Sequence, residues 1–167
     1  TTPKWAAQAI KIAAELGWKP THYLNSVSSS VGSVMVPAGA ENGIGIISSN
    51  YFKDPADPVW ANDKGFLEYK AWLEKNMPGA NIVEGFYVSG YIHAAATAQV
   101  IRQAGDDLTR ANIMKQAANL KNFENGMLLP GIKLNTSATD FYPVENKQLM
   151  KWNGKSWEMF GEIYGPK

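Results

Sequence analysis

The chain has 167 residues, 45% hydrophobic and 11% aromatic, which suits one packed domain or a domain and a half rather than a disordered tail. Charged residues are sparse at 19%, the formal net charge is +1, and Lys and Arg are scattered singly. That removes the basic field needed for nucleic acid or an anionic membrane surface. Cysteine is absent, which removes disulfides, thiol nucleophiles and cysteine zinc sites.

Thr2-Pro3 reads as an N-cap followed by proline at the first helical position, opening a helix over residues 3–16. Ala6, Ile10 and Ala13 repeat at helical spacing, and Gly17 stops the pattern. Residues 22–25 form a short strand candidate, 31–38 a brief helix, and 43–49 (GIGIISS) a buried strand. The alternation is that of an α/β layer with parallel strands. Residues 51–63 hold two Asp-Pro pairs and no periodicity, so an extended crossover is expected.

Three helices follow. The first covers 65–76, with Phe66, Tyr69 and Leu73 on one face and Pro78-Gly79 beyond it. The second covers 85–104 and stops at Gly105, with Val88, Ile92, Ala95, Ala96 and Gln99 in register. Thr109 caps the third, whose face carries Ile113, Ala117 and Leu120. The tail reads as a β-hairpin, 148–152 and 156–163, turning at Asn153-Gly154. No apolar run approaches the roughly 18 residues of a membrane span. Thr1-Thr2-Pro3 is not a signal peptide, so any such segment is expected to be removed or to lie upstream. The three helices have apolar faces and no sheet of their own, which predicts upstream sequence or a partner chain.

Few residues suggest chemistry. His22 and His93 lack a second ligand at metal spacing, and Pro55 and Pro58 break any calcium loop built on Asp54, Asp57 and Asp63. No metal and no cofactor are expected. No P-loop and no G-x-S-x-G elbow occur. Two features remain. The helix start at Thr1-Thr2-Pro3 offers free N–H groups to an anion, or is a simple N-cap. The serine row in LNSVSSSVG (24–32) follows a strand candidate, where ligands bind in open α/β sheets. Asn25, Ser26, Ser28 and Ser29 would then face a cleft; otherwise the loop is solvated and Ser28 or Ser29 caps the short helix.

The ordered stretches TPKWAAQAIKIAAELGWKPTHYLNSVSSSVGSVMVPAGAENGIGIISSNYFKDPADPVW, DDLTRANIMKQAANLKNF and LLPGIKLNTSATDFYPVENKQLMKWNGKSWEMFGEI resemble the second half of the branched-chain-amino-acid type of ABC-transporter solute-binding proteins, the type I periplasmic binding proteins. The resemblance covers essentially the whole chain. It implies an α/β fold forming part of a two-lobed clamshell: βα units of lobe two, the closing helices of lobe one, and a C-terminal β-hairpin. Residues 1–49 would belong to lobe two, 50–64 to an interlobe crossover, 65–142 to lobe one with its return crossover, and 143–167 to the hairpin returning to lobe two. An incomplete clamshell leaves apolar faces open, so the isolated chain is expected to dimerise or swap segments.

The resemblance implies lobe-two ligand contacts at Thr1 or Thr2 and at the loop Asn25-Ser26-Val27-Ser28. Relatives that bind amino acids usually place an acidic residue in that loop for the ammonium. Here no Asp or Glu occurs between Glu15 and Glu41. Hydroxyls and an amide suit an aromatic or short organic carboxylate better. Tyr51, Tyr87 and Tyr91 would add aromatic walls or sit in the core. The function implied is non-enzymatic: a periplasmic component that closes two lobes around a small molecule and delivers it to a membrane permease, without nucleic acid. The alternatives are a ligand-sensing module of a receptor or regulator, amino-acid binding, and a serine hydrolase, which needs a base within about 3 Å of the loop serines.

Overall fold

The computed structural model describes residues 2–165. Helix α1 spans Pro3–Glu15, with Thr2 extended at its N-cap and Pro3 at the first position, as the sequence predicts. It buries Ala6, Ala7 and Ile10. Its end is a Schellman turn: Gly17, at φ 66°, donates to the Ala14 carbonyl and Trp18 to that of Ala13.

The expected strand at 22–25 is reduced to one parallel bridge, Tyr23 with Ile47. A 3-10 turn, Ser26–Ser28, and a π-helical turn, Val31–Met35, follow. The cap of the second turn is Ser30, whose hydroxyl accepts from Ser33 N, rather than Ser28 or Ser29. The apolar run at 43–49 is also shifted. Ala40–Gly43 forms a 3-10 turn, Gly45 takes φ 91°, and strand β1 is Ile47–Asn50. Ile46 is buried from the turn and not from the strand.

β1 pairs antiparallel with β2 (Lys147–Trp152), which pairs antiparallel with β3 (Trp157–Tyr164). The sheet is therefore antiparallel, in order β1-β2-β3, where the βα rhythm predicts parallel strands. The rhythm describes neighbours in sequence, but β1 takes its partner from about a hundred residues downstream. The hairpin loop holds four residues, since Trp152 pairs with Trp157. Asn153 organises it by accepting from the amides of Lys155 and Ser156.

Two cores result. The first gathers α1, Leu24, the π-turn, Ile46 and the hairpin residues Met150, Trp152 and Trp157. The second gathers α2 (Lys64–Asn76), α3 (Gly85–Ala104) and the segment 120–134. Tyr69 and Leu73 of α2 and Val88, Ile92, Ala96 and Val100 of α3 are its buried stripes, at the helical spacing seen in the sequence. Helix α4 (Arg110–Ala117) has the expected Thr109 cap. Thr136 closes the end of α4 by donating to Ala117 O at 2.6 Å and accepting from Leu120 N at 2.9 Å.

Two segments run side by side between the cores. Leu129 N donates to Tyr51 O at 2.9 Å, and Lys53 N to Met127 O at 2.8 Å. Gly65, at the start of α2, lies in direct backbone contact with Gly126, an approach that only a residue without Cβ permits.

Candidate functional site

A cleft of about 120 Å³ lies where the two cores meet. One wall is the serine loop, with Ser26, Ser29, Ser30 and Ser33. The floor is the end of β1 and the segment after it, with Asn50, Tyr51, Phe52 and Asp54. The facing wall is the start of α3, with Glu84, Gly85, Phe86 and Ser89; Pro3 of α1 completes the rim. The volume is below the roughly 300–1,000 Å³ of drug-sized ligand pockets. It has room for a small solute, or for one part of a larger one.

Local turn chemistry sets the loop. Ser28 N donates to Asn25 O and Ser29 N to Ser26 O, which closes the 3-10 turn. The Ser29 hydroxyl donates to Ser26 O at 2.8 Å and accepts from the Asn50 amide at 3.5 Å. Its carbonyl accepts from the Trp157 indole at 2.9 Å, so the hairpin braces the loop from behind. On the facing wall the Ser89 hydroxyl stands 3.5 Å from the Tyr51 hydroxyl.

The two Asp-Pro pairs make matching turns. Asp54 Oδ1 accepts from Ala56 N at 2.8 Å, and Asp57 Oδ1 from Val59 N at 3.1 Å. The second oxygen of each reaches far along the chain: Asp54 Oδ2 accepts from Val31 N at 2.8 Å, and Asp57 Oδ2 from Trp157 N at 2.9 Å. Both side chains are buried. Burial pushes the Asp54 carboxyl up to about 6, aided by the nearby Asp57 charge and opposed by its hydrogen bonds. Burial also raises Asp57. Lys53 pairs with Asp63 at 2.6 Å and lies over the Trp60 ring, which joins the two ends of this segment.

Of the residues singled out in the sequence, the cleft brings together Ser26, Ser29 and Tyr51. Asn25 is exposed and Ser28 fully buried, and neither lines it. Thr2 lies beside the rim residue Pro3 but outside the lining, and Thr1 falls outside the described residues. Tyr87 and Tyr91 pack against the second core. His22 lines a separate groove of about 670 Å³ behind α1, so it supplies no base to the loop serines.

The loop itself has no carboxylate, yet the cleft has two: Asp54 from the crossover and Glu84 from the cap of α3. Both lie outside the span between Glu15 and Glu41, which itself holds no Asp or Glu. Among the described residues no group of three or more His, Cys, Asp or Glu is placed to hold a metal ion. No described helix is long and apolar enough to cross a membrane.

Residues 1–156 match the periplasmic binding protein family. No curated protein sequence gives a significant match. Among solved structures, a branched chain amino acid ABC transporter from Thermus thermophilus with bound valine superposes with a TM-score of 0.78 at 18% identity, covering 96% of this chain and 43% of that one. An ABC transporter substrate binding protein from Aeropyrum pernix gives 0.77 at 12% identity, over 99% and 43%. A leucine binding protein from Thermotoga maritima gives 0.66 at 14% identity, over 99% and 43%. The chain thus spans less than half the length of these proteins, and at such identities the likeness is one of fold.

Proposed function

The chain belongs to the periplasmic binding protein family, and from that premise we propose that it forms part of the solute-binding component of an ABC importer, closing two lobes around a small organic carboxylate, aromatic or short. The observation that carries this reading is the cleft between the two cores, whose hydroxyl-rich wall meets aromatic side chains in the floor and Phe86 opposite. Ser26 and the amide of Asn50 offer hydrogen bonds to oxygen, while Tyr51, Phe52 and Phe86 offer apolar contact. The first core acts as lobe two, the second as the closing part of lobe one, and the paired segments at Tyr51–Lys53 and Met127–Leu129 as the hinge. Closure selects the ligand-bound form, which the membrane permease recognises. Binding makes and breaks no bond, in keeping with a family of solute carriers rather than catalysts. The setting is periplasmic, with the rest of the cleft supplied by sequence equivalent to the remainder of the longer relatives. On its own, the chain pairs with a second copy through its open apolar faces.

A second reading, amino-acid binding, draws support from one observation: Glu84 stands in the cleft wall and offers a charge to an ammonium. A thermal-shift screen of the protein with both lobes present, against aromatic acids, aliphatic acids and amino acids, separates the two. A ligand at a hundred times its Kd adds about 2.7 kcal/mol to stability. Stabilisation by simple acids supports the carboxylate reading, and stabilisation by amino acids alone replaces it with the second.

A further inference from the structure

Building on the carboxylate reading of the cleft, we infer that Lys147 makes Ser26 a charge-assisted donor to the ligand, and so favours an anionic oxygen in the cleft. A serine hydroxyl has one proton to give and two lone pairs to receive with. The other serines of the 3-10 turn and its cap are engaged or withdrawn. The Ser29 hydroxyl gives its proton to Ser26 O at 2.8 Å. The Ser30 hydroxyl accepts from Ser33 N at 3.3 Å and caps the π-helical turn. Ser28 is fully buried and does not line the cleft.

Ser26 differs. Its Oγ lies 3.3 Å from Lys147 Nζ, which reaches it from β2, 121 residues away in the chain. An ammonium has three donors and no acceptor, so Ser26 receives from Lys147 and cannot give its proton back. The proton is turned toward whatever fills the cleft, and the adjacent positive charge strengthens it as a donor. Among the described residues no carboxylate stands within ion-pairing distance of Lys147. A carboxylate held by Ser26 would place a counter-charge near Lys147. The acidic groups of the cleft, Asp54 and Glu84, are placed elsewhere: Asp54 is held by Val31 N and Ala56 N, and Glu84 caps α3. Lys147 is therefore a positioning residue acting through Ser26.

The test compares wild type, Lys147→Met, Lys147→Arg, Ser26→Ala and the Lys147→Met/Ser26→Ala double variant by calorimetry, each in the protein with both lobes present. The probes are two acid–amide pairs: benzoate with benzamide, and valine with valinamide. For an acid that wild type binds, Lys147→Met is expected to weaken binding by about tenfold or more while changing the matching amide by less than about twofold, as for loss of one charge-assisted contact. Lys147→Arg restores most of the affinity. Ser26→Ala shows the same loss, and the double variant loses no more than either single one, because both remove one contact. Should Lys147→Met fold poorly, Ser26→Ala alone carries the selectivity measurement. Equal loss for acid and amide, or additive losses, overturns the inference and leaves the carboxylate reading standing. If wild type binds valine but not benzoate, the amino-acid reading replaces the carboxylate one, and if it binds neither acid this inference falls with the carboxylate reading.

Discussion

Asp54→Asn offers the sharpest check on the electrostatics of the cleft. The Asp54 carboxyl, ordinarily near 3.8, is pushed up to about 6. Once ionised it therefore carries a penalty of about 3 kcal/mol relative to its protonated form. Because the folded value lies above the unfolded one, the folded chain binds more protons between the two. The contribution of this group to stability therefore grows as pH falls from about 6 toward 3.8, and is lost as pH rises through about 6. Asparagine does not titrate. Between about pH 7.5 and about pH 4.5, wild type should gain about 2 kcal/mol relative to Asp54→Asn. Urea denaturation followed by circular dichroism, at both pH values for both proteins, gives this double difference directly. Asp57, raised in the same direction, is present in both chains and cancels to first order. A double difference of zero or of opposite sign would refute the reasoning. It would mean that the bonds from Val31 N and Ala56 N match or outweigh burial.

Gly65→Ala is expected to lower the melting temperature by about 4–8 °C, for a cost of about 2 kcal/mol. An added Cβ would overlap the Gly126 carbonyl. Were that contact absent, alanine in a helix would raise stability by up to about 1 kcal/mol, so an increase in melting temperature refutes it. Light scattering on the isolated chain should give a mass above 18.3 kDa. Trp18, Ile44 and Leu16 are largely exposed beside the groove behind α1, and among the described residues no second strand pairs with Tyr23. A clean monomer at high concentration sinks this prediction.

What could be read from the sequence was local. Thr2-Pro3, Gly17, Gly105 and Thr109 mark helix ends because capping depends on residues one to four positions apart. The α/β class and the position of the serine loop were legible in the same way. The sheet was less so. GIGIISS is apolar throughout, and apolarity alone does not reveal that Gly45 bends the chain so that pairing as a strand begins at Ile47. The carboxylates of the cleft were hidden for a different reason. Asp54 and Asp57 look like parts of loop-breaking Asp-Pro pairs, and their long-range partners lie 23 and 100 residues away. Lys147 gives no local signal at all, since only the folded hairpin carries it to Ser26.

That reach has a consequence for how the chain matures. The serine loop is held by the Trp157 indole 128 residues downstream, Ala40 by the Trp152 indole at 112, and Asp57 by Trp157 N at 100. Contacts this distant in sequence slow folding, because long loops must close before any bond rewards them. A ribosome delivers the serine loop before the hairpin. Throughout that interval α1 and the loop can form only a provisional arrangement. The cleft wall takes its final shape only when the hairpin docks, and a chain truncated before Trp157 would lack the indole and amide that brace the serine loop and Asp57.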